Sequence, residues 1–127
     1  KAAASQKPVI NWATQVLTAD GAAFFGTYWL GAQPWEDPDL YWSRSPLSLV
    51  GNVETPTLVV VGSEDYRTPV SESEQYYTAL RLRGVPTALV KVPGASHGSI
   101  AARPSHSAAK AAAILAWFER YKDGWRR

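Results

Sequence analysis

The chain contains 127 residues, of which 13 are basic and 11 acidic, so its formal charge is +2. This near balance lacks the clustered basic face that nucleic-acid binding requires, and the lack of cysteine excludes disulfides and thiolate metal sites. No apolar run approaches the roughly 20 residues that a membrane-spanning helix needs. We therefore expect neither a nucleic-acid partner nor a membrane span.

The first third of the chain predicts irregular structure. Residues 8–12 predict the end of a strand, and residues 14–28 predict a helix. Prolines at positions 34, 38 and 46 predict short helices or turns after it. Aromatic residues concentrate here, where they could line an apolar pocket for a substrate side chain or belong to an ordinary core. They are Trp12, Phe24, Phe25, Tyr28, Trp29, Trp35, Tyr41 and Trp42.

The middle of the chain predicts a strand, a helix and a second strand. Residues 58–61, LVVV, form an apolar run rich in valine, typical of a strand that is covered on both faces. Residues 87–92, TALVKV, predict the second strand. Between them, Pro69 favours the first turn of a helix and Gly84 favours its end. Two strands joined through a helix predict a parallel α/β arrangement.

The last part of the chain predicts an extended segment and then a long helix. Residues 99–104 predict the extended segment, and the helix is predicted to begin at Ser105 or Ser107. One face of this helix carries apolar residues at the spacing i, i+3, i+4 and i+7. They are Ile114, Trp117, Phe118 and Tyr121.

An acid and a histidine follow the two strands predicted in the middle of the chain. Asp65 lies in GSEDYRTP, residues 62–69, and His97 lies in VPGASHG, residues 92–98. On loops after parallel strands, Asp65 could accept the Nδ1 hydrogen of His97. An acid followed by a histidine is the order of an α/β-hydrolase triad, in which a serine precedes both. The alternatives are a turn aspartate that binds backbone amides and a surface histidine.

Ser96 lies in GASHG, residues 94–98, which match the G-x-S-x-G motif of a serine nucleophile. That motif requires a helix directly after the turn, whereas residues 99–104 predict extended chain. Ser96 also follows Asp65 instead of preceding it, and its neighbour His97 cannot easily turn back onto its hydroxyl. We therefore do not assign Ser96 as the nucleophile.

Two further residues have a functional and a structural interpretation. The planar guanidinium of Arg67 could bind a carboxylate or carbonyl of a substrate, or it could form a surface ion pair with Glu64 or Glu72. A protonated His106 would place charge at the unfavourable end of the last helix, so we interpret it as structural. The sequence has no metal-ligand spacing and no phosphate-binding glycine loop, and we expect no metal and no cofactor.

With these residues identified, nearly the whole chain resembles the C-terminal part of the catalytic domain of the prolyl oligopeptidase family. These serine peptidases include acylaminoacyl peptidases and dipeptidyl peptidases. Residues 45–98, from SPLSLVGN to PGASHG, are similar to the family's stretch from before the acid strand to the histidine loop. Residues 103–121, RPSHSAAKAAAILAWFERY, are similar to its closing helix, and residues 6–11, QKPVIN, to the strand after the nucleophile's helix.

The resemblance implies an α/β-hydrolase fold and a peptidase that cleaves small peptides by acyl transfer. It implies that Asp65 is the triad acid, that His97 is the general base, and that Arg67 binds substrate, although other members use this arginine structurally. The nucleophile's G-x-S-x-G-G segment and the family's β-propeller would both lie before Lys1. We therefore expect residues 1–127 to be a partial catalytic domain that is inactive without the N-terminal remainder and its serine.

Two other functions stay open from the residues alone. One is an esterase or lipase of the wider α/β-hydrolase group, because the triad residues do not distinguish an ester from an amide. The other is a non-catalytic binding or assembly module that retained this architecture. An open sheet could exchange elements with a second copy, so a homo-oligomer is also an expectation. The sequence does not identify a compartment, and the cytoplasm is the favoured expectation.

Overall fold

Strand β2, Thr57–Gly62, is the centre of the sheet in the computed structural model, which describes residues 1–125. All six of its residues are buried. Strands β1, Ala3–Gln6, and β3, Thr87–Val92, pair with it in parallel on its two sides. The apolar run at residues 58–61 thus forms a strand covered on both faces, and the predicted parallel α/β arrangement is confirmed.

Helices form most of the remaining described chain and differ widely in length. The two longest, α4 and α6, contact the sheet, and the others contain at most seven residues. In chain order they are α1 (Trp12–Thr18), α2 (Ala22–Phe24), a π-helix (Phe25–Leu30), α3 (Pro38–Arg44), a 3₁₀-helix (Pro46–Asn52), α4 (Val70–Leu82), α5 (Ser99–Ala102) and α6 (Pro104–Arg120).

The two faces of β2 pack against different helices. Leu58 and Val60 belong to a core cluster that includes Trp117 of α6. The alternate residues Val59 and Val61 are fully buried as well, and α4 contacts both β2 and β3. Because side chains alternate between the faces of a strand, the sheet lies between two helical layers.

The first strand ends earlier than the sequence predicted. This strand, β1, spans Ala3–Gln6 and does not include residues 8–12. Lys7 still donates a backbone hydrogen bond to Val60 at 2.8 Å, but its φ is 51°. Pro8 follows and has no N–H with which to continue the ladder. The prediction of a strand end at residues 8–12 is therefore wrong.

The helix predicted for residues 14–28 is divided into three pieces. Helix α1 ends at Thr18, and α2 and the π-helix follow Gly21. A second core cluster forms where these pieces pack on α3, and it contains Val16, Ala19, Phe25 and Tyr41. The short helices predicted around the prolines are confirmed as α3 and the 3₁₀-helix. We call residues 8–56 the front region and residues 57–125 the rear region.

The segment after His97 is the main departure in the rear region. Residues 99–104 were expected to be extended, but Ser99–Ala102 form helix α5. Only Arg103 is extended, with a ψ of 126°, because the residue before a proline avoids the helical conformation. Pro104 then occupies the first turn of α6.

Helix α6 uses a narrower face than its apolar spacing predicted. Trp117 is buried and its indole donates a hydrogen bond to the carbonyl of Pro56 at 3.3 Å. Ile114 and Tyr121 pack against the same cluster, whereas Phe118 is 41% exposed. Helix α6 therefore contacts the sheet through only part of the predicted apolar face.

Candidate active site

The carboxylate of Asp65 is buried at the end of β2 and is held by its own loop. Its Oδ1 accepts hydrogen bonds from the backbone N–H groups of Arg67 and Thr68 at 3.1 and 2.9 Å. Its Oδ2 accepts one from Thr68 Oγ1 at 3.2 Å. These are the contacts of a turn aspartate, and they fix the position of the carboxylate independently of any partner from another loop.

His97 reaches this carboxylate from the loop after β3. Its Nδ1 lies 2.9 Å from Oδ2 and 3.1 Å from Oδ1 of Asp65, and 3.2 Å from Thr68 Oγ1. An ionised carboxylate only accepts, so this partner assigns the hydrogen of a neutral His97 to Nδ1 and leaves Nε2 as an acceptor. The His97 side chain is 39% exposed, whereas that of Asp65 is fully buried. The site thus joins an accessible imidazole to a buried carboxyl group.

Gly62 allows the two loops to approach each other. A Cβ at this position would lie 2.1 Å from the carbonyl oxygen of Ala95, so no other residue fits. The N–H of Glu64 donates to the same carbonyl at 3.0 Å, and the N–H of Gly94 donates to Ser63 Oγ at 2.8 Å. These contacts set the spacing of the acid and histidine loops.

Lys7 joins the end of β1 to the histidine loop. Its Nζ donates a hydrogen bond to the backbone carbonyl of His97 at 3.1 Å. Its φ of 51° lies in the left-handed region that residues other than glycine seldom adopt. No local pattern in the sequence indicates this contact, because the position of a long side chain before a proline depends on tertiary packing.

Arg67 pairs with Asp20 of the front region and not with Glu64 or Glu72. Its Nε lies 2.7 Å from Asp20 Oδ1, and the two side chains are about half exposed. The hydrogen bond from Arg67 lowers the pKa of Asp20, and the same contact raises the pKa of Arg67. Both residues line, together with His97, a surface cavity of about 300 Å³. Arg67 therefore borders the same cavity as the histidine, and its guanidinium already has a carboxylate partner.

Ser96 acts as a cap for helix α5. Its Oγ accepts a hydrogen bond from the N–H of Ser99 at 3.1 Å, and its own N–H donates to Ser99 Oγ at 2.8 Å. This is the reciprocal arrangement of a capping box. Because residues 99–102 are helical, the first sequence argument against Ser96 is wrong. The Ser96 hydroxyl is nevertheless bound to the first residue of helix α5, and Nδ1 of His97 is bound to Asp65.

His106 contacts the start of the same helix, since Ser99 Oγ lies 3.3 Å from its Nδ1.

A larger cavity, of about 490 Å³, is bordered by His97. Four of the predicted aromatic candidates line it: Trp12, Phe24, Phe25 and Trp29, which we call the aromatic wall. Contacting rings of the wall have centroids 4.8 to 6.4 Å apart, mostly edge to face. Such packing is favourable for aromatic pairs. The other lining residues are Val9, Gln15, Gly21, Arg67, Thr68 and His97.

The other aromatic candidates are core or surface residues. Tyr41 is buried and its hydroxyl donates to the carbonyl of Ala32 at 2.8 Å. Tyr28, Trp35 and Trp42 are each more than half exposed. Residue type alone placed all eight in one group, and only the packing of the short helices separates them.

The polar groups at the cavity are suited to proton transfer. Among residues 1–125, no cluster of three or more histidine, aspartate or glutamate side chains could hold a metal ion. The chemistry available at the cavity is that of the Asp65 and His97 pair with the hydroxyl of Thr68.

Among residues 1–125, no helix has both the length and the apolar character needed to cross a bilayer.

Comparison with known proteins places the chain in a family. Residues 1–124 match the prolyl oligopeptidase family. The chain belongs to this family. It is 36% identical over 122 residues to the uncharacterized peptidase YuxL of Bacillus subtilis, an alignment that covers 95% of this chain. It is 33% identical over 127 residues to the acylamino-acid-releasing enzyme of Arabidopsis thaliana, with 94% of this chain covered.

A solved member of the prolyl oligopeptidase family has the same fold. The acylaminoacyl peptidase of Pyrococcus horikoshii superposes on 98% of this chain with a TM-score of 0.87 and 26% identity. The expected α/β-hydrolase fold is confirmed. The chain spans about a fifth of the length of these proteins: 19% of the Bacillus relative, 16% of the Arabidopsis relative and 21% of the Pyrococcus chain.

Three residues that contact the candidate site were not predicted from the sequence. Thr68 contacts both the acid and the histidine, Lys7 binds the histidine loop, and Gln15 lines the aromatic cavity. A hydroxyl three residues after a loop aspartate is a known turn pattern that could have identified Thr68. Lys7 and Gln15 are distant in sequence from the site, so their roles depend on the fold.

Proposed function

We propose that this chain supplies the acid and the base of a serine peptidase that hydrolyses small peptides by acyl transfer. The observation that carries the proposal is the 2.9 Å contact between His97 Nδ1 and Asp65 Oδ2 beside the aromatic cavity. Family membership supports it, as do relatives whose names describe peptidases. Activity and substrate are proposed for the whole protein, because the chain spans only 19% and 16% of the length of these relatives.

In the proposed reaction His97 moves a proton in each of two half-reactions. A serine oxygen attacks the peptide carbonyl carbon while Nε2 takes the hydroxyl proton, and Nε2 then gives this proton to the amine as the C–N bond breaks. Water attacks the resulting ester in the same way, and the proton returns to the serine. Asp65 stays ionised, holds the Nδ1 hydrogen and stabilises the imidazolium.

The nucleophilic serine and the oxyanion donors are proposed to lie in a segment before Lys1. Within the described residues, β1 pairs with β2 on one side only, so its other edge is open to a strand from that segment. Ser96 is occupied as a helix cap. Because triad members act as a unit, we expect the 127 residues to be inactive without this N-terminal remainder.

Arg67 is proposed to bind the substrate next to the base. Arg67 lines both the aromatic cavity and the smaller cavity beside His97. A guanidinium can bind a carbonyl or carboxylate through two parallel hydrogen bonds. The exposed pairing with Asp20 at 2.7 Å holds the side chain in place and, because it faces solvent, can be exchanged for a substrate group at low energetic cost.

The proposal is tested with the protein that carries this chain together with its preceding segment. Hydrolysis of an N-acetylphenylalanine anilide and of the corresponding ester is measured for the unaltered protein and for Asp65→Asn, His97→Ala and His106→Ala. Loss of the acid lowers kcat by about 10⁴-fold in serine peptidases because the histidine adopts the wrong tautomer. We expect losses of about this size for Asp65→Asn and His97→Ala, and none for His106→Ala.

Two results would replace the proposal by an alternative function. Turnover of the ester without measurable turnover of the anilide would identify an esterase. If neither Asp65→Asn nor His97→Ala changes any activity of the protein, the chain is a non-catalytic binding or assembly module. Neither a peptidase nor an esterase can lose its acid and its base without an effect on hydrolysis.

A further inference from the structure

Thr68 joins the two members of the candidate pair. Its Oγ1 donates a hydrogen bond to Oδ2 of Asp65 at 3.2 Å and lies 3.2 Å from Nδ1 of His97. The residue is buried, with 8% of its surface exposed. None of the acyl-transfer steps moves a proton through this hydroxyl, so its contacts with both groups need another explanation.

The backbone of the loop holds the acid in place without the Thr68 hydroxyl. The N–H groups of Arg67 and Thr68 donate to Asp65 Oδ1 at 3.1 and 2.9 Å, and these contacts do not involve the Thr68 side chain. The backbone of Thr68 is restrained as well, because the residue before a proline avoids the helical conformation and Pro69 follows it. The effect of the hydroxyl is therefore exerted at Oδ2 and at the histidine.

The donors around Asp65 fill its capacity as an acceptor. A carboxylate offers about four lone-pair sites, shared by its two oxygens. The two backbone N–H groups use those of Oδ1, which leaves Oδ2 to the Thr68 hydroxyl and to the Nδ1–H of His97. The distances agree with this division, because Nδ1 lies 2.9 Å from Oδ2 and 3.1 Å from Oδ1. The hydroxyl thus leaves the imidazole one place on the carboxylate.

The histidine needs such a restraint more than the acid does. The His97 side chain is 39% exposed, whereas that of Asp65 is fully buried. An imidazole that is held by one hydrogen bond can pivot about it, and pivoting displaces Nε2. A displacement of about 1 Å can lower a rate about 100-fold. Because Thr68 Oγ1 gives its hydrogen to Oδ2, it meets Nδ1 as a second acceptor, and two acceptors on one N–H oppose this motion.

We propose that Thr68 is a positioning residue whose hydroxyl orients the imidazole of His97 for proton transfer. It does so by occupying one site of Asp65 Oδ2 and by accepting part of the Nδ1–H hydrogen bond. This inference rests on the proposed function and adds a third side chain to its acid and base. Since the hydroxyl acts on the rate through His97, its loss lowers kcat and leaves KM almost unchanged.

The test compares two pairs of side chains at position 68 that differ at the hydroxyl. Threonine and Thr68→Val share a branched shape, and Thr68→Ser and Thr68→Ala share the lack of the methyl group. Hydrolysis of the N-acetylphenylalanine anilide is measured with the protein that carries this chain together with its preceding segment. In each pair we expect the member with the hydroxyl to have a kcat about 10-fold higher, the value of one hydrogen bond to a charged group.

A second comparison separates positioning of the base from the shape of the aromatic cavity, which Thr68 also lines. In a His97→Ala background, Thr68→Val should not lower the residual kcat further, because the hydroxyl then has no imidazole to orient. A role in packing or in direct contact with substrate would give the same loss with and without His97. That result overturns the inference, as does a change confined to KM.

The two pairs give a decision even if Thr68→Val does not fold, because Thr68→Ser and Thr68→Ala then supply the comparison. Equal kcat values for members with and without the hydroxyl would overturn the inference. The proposed function would stand in that case, since turnover would still depend on His97. Absence of anilide turnover by the unaltered protein, or turnover unaffected by His97→Ala, would overturn the proposed function and the inference with it.

Discussion

The front and rear regions of the molecule are built by different rules. The rear region alternates long regular elements, β2, α4, β3 and α6, and its two loops bring Asp65 and His97 together. The front region consists of short helices and a π-helix, and it supplies the aromatic wall. The regular framework thus positions the two side chains that we propose transfer the proton, whereas the irregular part lines the cavity beside them.

The largest effect on stability is expected from adding a side chain where the two loops of the rear region touch. In Gly62→Ala the new Cβ would collide with the Ala95 carbonyl, and we expect the free energy of unfolding to fall by about 3 kcal/mol. Gly51→Ala is the matched control, since a Cβ at Gly51 meets nothing within 4 Å, and its effect should stay below about 1 kcal/mol. Urea unfolding followed by tryptophan fluorescence measures both. Equal effects would contradict the close approach of the loops.

A second change tests how the two regions are joined. Glu72 of α4 is fully buried, and its Oε1 accepts from the backbone N–H groups of Ile10 and Asn11 at 3.1 and 2.9 Å. Its other oxygen contacts the hydroxyl of Thr14. Glu72→Leu leaves these front-region donors without an acceptor and should lower the free energy of unfolding by about 2 kcal/mol. Glu72→Gln keeps one acceptor oxygen and should lose less, and the opposite order would contradict this account.

A smaller effect is expected at the end of β1, where Lys7 binds the carbonyl of His97. Lys7→Ala and Lys7→Gly both remove the ammonium contact at 3.1 Å, and both should lower kcat by about 5-fold, since one hydrogen bond to a charged group is lost. The two variants differ in backbone strain, because glycine adopts the φ of 51° at position 7 more readily than alanine does. Lys7→Gly should therefore be more stable than Lys7→Ala by about 1 kcal/mol. Unequal kcat values would contradict a role through the side chain.

The smallest effect is expected for the exposed pair of Asp20 and Arg67. The hydrogen bond from Arg67 lowers the pKa of Asp20 from its usual value of 3.8. Its contribution to stability is therefore present in full above that value and is lost as the pH falls through the lowered pKa. Asp20→Asn should melt slightly below the unaltered protein at pH 7, and this difference should disappear in acid. Thermal melts across this range measure it, and a difference independent of pH would contradict the ion pair.

The front and rear regions also differ in how far their structure could be predicted from the sequence. The apolar run at residues 58–61 and the loops that follow β2 and β3 are local patterns, and they identified Asp65 and His97 as neighbours. The helix at residues 99–102 was missed because its start is stabilised by the reciprocal contact of Ser96 and Ser99, which a short polar segment does not distinguish from a loop. The cavity was only partly predicted because four of eight aromatic candidates face it, and contacts across the fold decide which.

The side-chain contacts of Arg67 with Asp20 and of Gln15 with the Arg67 carbonyl could not be predicted for the same reason. Asp20 and Arg67 are 47 residues apart in sequence, and Gln15 and Arg67 are 52 apart. Such pairs form only after the front region packs on the rear region. Their side chains carried no local pattern that would indicate a partner.

Locating the activated serine tests directly whether His97 acts on a nucleophile from another part of the protein. The protein that carries this chain and its preceding segment is treated with a fluorophosphonate, which forms a covalent bond with such a serine, and the labelled peptide is identified by mass spectrometry. We expect a label on a serine outside these 127 residues, with labelling greatly slowed in His97→Ala and unchanged in His106→Ala. A label on Ser96, or labelling that does not depend on His97, would contradict it.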